Sequence, residues 1–199
     1  DIGNNFGEDN IAKLVLLKVP EEATRIAMVR VGQVDLTGVT PRSKKDLVAA
    51  GVRTFSNPNT GIGFIVLGGY FPGWPKHDNT FPWWQGDPGT LPPDQDKGLK
   101  IREAMTIAID RQAIVDKILL GEATAAPAPM AWIPGPYPFN NPAWKVPTYD
   151  PKRAKQLLAE GGYPNGFEFE FAMFDLGGRP EMLDISEAVA GYWEDIGLK

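Results

Sequence analysis

Few side chains in this 199-residue chain stand at spacings that covalent chemistry needs. Glu168 and Glu170, in the alternating run Phe167-Glu-Phe-Glu-Phe171, come nearest to a carboxylate pair. Period-2 spacing puts both on one face of a strand, whereas glycoside hydrolysis needs its two carboxyl groups on opposite sides of the scissile bond, about 5–10 Å apart. A solvated strand face is the favoured reading. His77 is the single histidine and there is no cysteine, so neither a hydrolytic triad nor a metal site of several nitrogen or sulfur ligands is legible. No catalytic residue, metal or cofactor is expected. The glycine-rich run Gly61 to Gly69 has Val66 where a dinucleotide loop needs its third glycine, and no helix follows to hold a pyrophosphate. The run Asp94 to Gly98 places its glycine one position early for a calcium loop, with Met105 where the twelfth-position glutamate belongs. Arg42, Lys44 and Lys45 share one short helix and read as a solvated face.

Aromatic residues are the informative remainder. Small-solute sites are concave, apolar and aromatic, and favour domain interfaces. Trp83 and Trp84 lie in one long Pro/Gly-rich stretch, Trp132 and Tyr137 in the next, and these four are the candidate ligand-binding residues. Their bland alternative is that large rings in proline-rich loops pin those loops to their own domain.

The elements that must position these residues follow from periodicity. Leu14 to Val19, Val34 to Leu36, Val52 to Phe55 and Ile62 to Leu67 read as strands, with helices between them. Pro20 suits a first helical turn, with Glu21 and Glu22 at the positive end of its dipole, and Thr40-Pro41 marks a second helix closed by Gly51. From Gly68 to Gly98 the pattern breaks, with six prolines and six glycines; a connection so long is a functional loop or a linker. Ile101, Ala104, Met105 and Ala108 then form a helical stripe, with Arg102, Glu103 and Thr106 facing away. Asp110 caps a second short helix carrying Ile114, Val115 and Ile118, which Gly121 ends. Asp150-Pro151 opens a helix that buries Ala154, Leu157 and Leu158 and stops at Gly161-Gly162. Phe167 to Phe171 is a strand, Ile185 to Trp193 an amphipathic helix, and Ile196 to Lys199 the start of another strand. Alternating strands and helices point to an α/β architecture. The net charge of −5 argues against a nucleic-acid footprint, which needs a basic face. No apolar run is long enough to span a membrane.

The phrase Ile101-Arg-Glu-Ala-Met-Thr-Ile-Ala-Ile-Asp-Arg111, continued by Leu120-Gly121-Glu122-Ala123, resembles a signature of the family 5 extracytoplasmic solute-binding proteins of bacterial ABC importers. Tyr149 to Phe167 with Ile196-Gly197-Leu198, and Ala23 to Leu36 upstream, resemble further stretches of the same family. The resemblance implies a periplasmic-binding-protein type II-like α/β fold, with parts of two lobes joined by a Pro/Gly/Trp-rich crossover. Residues 1–72 would be the C-terminal part of the first lobe, 73–98 the crossover, and 99–199 the N-terminal part of the second lobe, the whole being an internal segment of a longer protein. It implies a monomeric, non-enzymatic receptor, periplasmic and often lipoprotein-anchored, that captures a small-molecule or peptide ligand, foremost a peptide, and hands it to the ABC transporter permease. Peptide receptors of this family hold the ligand's amino terminus with an aspartate beyond the Ile-Gly phrase, past Lys199. The rival expectation is a carbohydrate-active enzyme or sugar-binding module using tryptophan platforms.

Overall fold

The stripe Ile101, Ala104, Met105, Ala108 is wholly or almost wholly buried, and the rest of the core assembles on it. The computed structural model describes residues 13–56, 63–69, 75, 76, 78, 80–85, 92, 94–127, 143–173, 179 and 181–199. Among these the regular elements are α1 (Glu22–Arg30), α2 (Pro41–Ala49), a 3-10 turn (Pro82–Trp84), α3 (Lys97–Ile107), α4 (Arg111–Lys117), α5 (Pro151–Glu160) and α6 (Glu181–Asp195). Helix α3 packs most closely on α5 and on the 3-10 turn.

Short carboxylates start three of these helices. Asp96, Asp110 and Asp150 accept backbone N–H bonds from Leu99, Ala113 and Arg153 at 2.7, 2.9 and 2.9 Å, each satisfying a donor that the first helical turn cannot. Asp96 was not legible as a cap, and it begins α3 two residues before Leu99. Its side chain is buried and also meets the Arg102 guanidinium at 3.5 Å. Arg102 therefore does not face away from the core as expected. It is half-buried, donates to the Trp83 carbonyl and lies 5.3 Å from the Trp84 ring centroid, so a cation and its counter-ion fasten the 3-10 turn to α3.

The alternating phenylalanines behave as their spacing requires. Phe167, Phe169 and Phe171 turn inward onto Trp83 and Trp193, while Glu168 and Glu170 are exposed. Phe169 N donates to the Lys199 carbonyl at 2.9 Å, and Lys199 N to the Phe167 carbonyl at 3.0 Å. This is the hydrogen-bond pattern of a single parallel bridge; it brings the extended stretches before and after α6 side by side, although neither forms a regular strand among the described residues. Gly166 permits the crossing: its φ is +74° and an added Cβ would sit 1.8 Å from the Gly197 carbonyl oxygen.

The four expected front strands are corrected. Leu14 to Val19, Val34 to Leu36, Val52 to Phe55 and Gly63 to Leu67 carry no regular pairing among the described residues, and Leu14, Leu16 and Val66 are exposed. Strand propensity needs a neighbouring edge to be realised, and no described residue offers one. Helix α1 begins at Glu22 after a Glu21 N-cap, two residues later than Pro20 suggested, and α1 buries no residue while α2 buries only Leu47. The core thus lies almost entirely between Trp83 and Leu198.

Candidate functional site

Thr40-Pro41 opens α2 as the sequence predicts, but the cap comes from elsewhere. Thr40 makes no side-chain cap bond. Instead Glu22, in the first turn of α1, accepts from Thr40 N at 3.1 Å, Thr40 Oγ1 at 2.9 Å and Ser43 Oγ at 2.6 Å, all through Oε1. Burial pushes the Glu22 carboxyl up, but the bonds from Ser43 and Thr40, with Arg25 nearby, outweigh it and hold the group below its ordinary value. It stays ionised.

That arrangement forms one wall of a solvent-open cavity of about 440 Å³. Ala23, Ile26, Pro41 and Arg42 continue the wall, and Ile118, Glu181 and Asp184 face it from the end of α4 and the first turns of α6. Arg42 Nη2 reaches across to Asp184 Oδ2 at 2.7 Å. Three carboxylates and one guanidinium over an apolar floor suit a polar solute with a cationic group, held by charge-assisted hydrogen bonds. The volume falls within the usual range for small-solute sites, roughly 300–1,000 Å³.

A second cavity, of about 410 Å³, lies at the corner between α3 and α4, lined by Asp110, Arg111, Thr124, Val146 and Tyr149 among others. Arg111 Nη1 donates to the carbonyls of Thr106 and Ile109 at 2.9 and 3.3 Å, satisfying orphan acceptors at the end of α3. Burial lowers its pKa. The residue is doing structural work there, and the cavity lies within the 94–149 stretch alone.

The structure places Trp83 and Trp84 in the core, 4% and 9% exposed, with both indole N–H groups donating to the Gly68 carbonyl, Trp83 at 2.8 Å. They line neither cavity. Trp132 and Tyr137 lie outside the described residues, as does His77. The sequence does not mark Glu22, Arg42 or Asp184 as site residues; Arg42 stands there only in a basic run with Lys44 and Lys45. Nothing in local spacing signals that residues 142 positions apart will pair. Among the described residues no cluster of histidine, cysteine, aspartate and glutamate could hold a metal ion.

Comparison with known proteins adds a second line of observation. Residues 4–199 match the model of the bacterial extracellular solute-binding proteins, family 5 Middle. The chain is 37% identical over 103 residues to heme-binding protein A of Haemophilus influenzae, covering 51% of this chain and 18% of that protein. It is 31% identical over 113 residues to oligopeptide-binding protein AppA of Bacillus subtilis, covering 52% and 21%. It is 41% identical over 68 residues to glutathione-binding protein GsiB of Escherichia coli (strain K12), covering 34% and 12%. The matched stretch thus spans about a fifth or less of the length of these relatives.

Proposed function

Since the chain belongs to the bacterial extracellular solute-binding proteins of family 5, we propose that it forms part of the substrate-binding component of an ABC importer and captures a solute in the cavity between α1–α2 and α4–α6. The observation that carries this reading is the cavity itself, whose two walls come from stretches of chain on either side of the Gly68–Gly98 break. Those stretches are read as parts of two lobes, 1–72 and 99–199, of a type II periplasmic-binding fold, with 73–98 as crossover. Solute contacts made with both walls at once stabilise the closed arrangement over the open one by their differential affinity. No bond is made or broken.

A short peptide is the favoured solute. The carboxylates of Glu22 on one wall and of Glu181 and Asp184 on the other complement an amino terminus, and relatives of this chain carry the names of oligopeptide- and glutathione-binding proteins. Trp132 and Tyr137 are proposed as further contacts. Work beside a membrane permease, outside the cytoplasm and on a lipid anchor, belongs to the same proposal; among the described residues no helix is long and apolar enough to cross a membrane.

Calorimetry of the whole protein against di- to pentapeptides, glutathione and heme tests the proposal. Ala23→Trp, which fills the cavity from an exposed position on α1, is expected to weaken the peptide affinity at least about tenfold. Unchanged affinity would overturn this placement of the site.

A further inference from the structure

Helix α2 touches the 94–199 stretch through two ion pairs that diverge from the first turn of one short element. Arg42 meets Asp184 at the start of α6. Lys44, two residues on, meets Glu122 in the turn after α4 at 2.5 Å. Residues two apart on a helix point in different directions, which is why the two acceptors lie 62 positions apart in sequence. Ser56 joins the second pair, donating to Glu122 Oε2 and accepting from Lys44 Nζ at 3.4 Å. Lys44 foremost, and Ser56, hold the Glu122 carboxyl below its ordinary value.

The apolar contribution at this junction is thin. Leu47 is the sole buried residue of α2, and no extensive packing joins α2 to α4 or α6. Charge, rather than core, is what spans the gap. We propose that α2 is an electrostatic clasp, in which Arg42–Asp184 and Lys44–Glu122 close the cavity in the absence of solute and set how much of the protein is already closed when solute arrives. This rests on the two-lobe reading above and adds to it a device that acts on the resting equilibrium.

The pairs suit such a role because they are weak. Their side chains are between 27% and 62% exposed, and each exposed pair shifts an equilibrium only about two- to fivefold. A clasp of that strength biases closure without locking it, and it is screened by salt, since the Debye length falls from ~10 Å at 0.1 M to ~3 Å at 1 M. A closed fraction set this way multiplies the apparent affinity for any solute, charged or not.

Two spin labels test the clasp without any solute. The chain has no cysteine, so cysteines introduced at the exposed positions Ala49 and Glu187 are uniquely labelled, and pulsed electron resonance reads the distance between α2 and α6. Arg42→Asp and Lys44→Glu should each raise the long-distance fraction about two- to fivefold at low salt. The charge swaps R42D/D184R and K44E/E122K should restore it, and 1 M NaCl should open the unmodified chain to a similar degree. Distance distributions unmoved by both single reversals would overturn the clasp. Because the readout is solute-free, it is separable from the peptide titration: peptide binding with unmoved labels sinks the clasp alone, whereas labels that move without peptide binding sink the solute reading alone.

Discussion

Glu22 shows how much a single side chain can carry at a junction with little core. Its three hydrogen bonds from Thr40 and Ser43 tie α1 to the start of α2, and Glu22→Gln is expected to cost about 1–2 kcal/mol, read from the urea midpoint of the chain. The pH dependence has a definite sign. The folded carboxyl binds its proton less tightly than the unfolded one, so its contribution is complete above the ordinary carboxylate range and is lost as pH falls through the lower folded value. Denaturation between pH 6 and pH 3 should therefore show a smaller acid-linked loss in Glu22→Gln than in the unmodified chain. At Trp83 the same scale gives a different outcome. The ring lies 5.0 Å from Phe81 and 5.6 Å from Phe169, centroid to centroid, and truncation to alanine should cost about 3–5 kcal/mol of stability, visible in the same urea titration.

The elements owe their existence to unequal local devices. The Asp110 and Asp150 caps are worth about 1 kcal/mol each to their helices. Asp96 is worth more, because Asp96→Ala also strands a half-buried Arg102 beside Trp84; about 3 kcal/mol is expected, against about 1 for Asp110→Ala or Asp150→Ala, and denaturant titration of the three variants side by side decides the ranking. The turn at Gly166 has no such margin. A side chain there meets both a left-handed φ and the Gly197 carbonyl, so Gly166→Ala should cost more than about 2 kcal/mol and disturb the bridge between Phe167 and Lys199. Helices α4 and α5 were readable because cap, stripe and terminating glycine fall at the required offsets. The start of α2 was readable as a boundary, but its partner Glu22 was not.

At the scale of the whole molecule, burial is lopsided, and stability should be too. With α1 carrying no buried residue and α2 only Leu47, amides of 22–49 are expected to exchange with deuterium well before those of α3, α5 and α6; hydrogen exchange followed by mass spectrometry checks this, and equal protection would contradict it. The same asymmetry leaves the closing of the cavity to ion pairs rather than packing. The sequence by itself determined the periodic and the local: the stripe on α3, the Asp-capped helices, the inward phenylalanines between outward glutamates, and the family signature from Ile101 to Arg111. These depend on neighbours a few positions away, whose geometry spacing fixes. Only the tertiary structure decided that Trp83 and Trp84 belong to the core, that Arg102 turns inward to Asp96, that the front apolar runs lack described partners, and that Arg42 finds Asp184. Each of those depends on which distant segment comes alongside, and burial and pairing between such segments leave no trace in the spacing of either one.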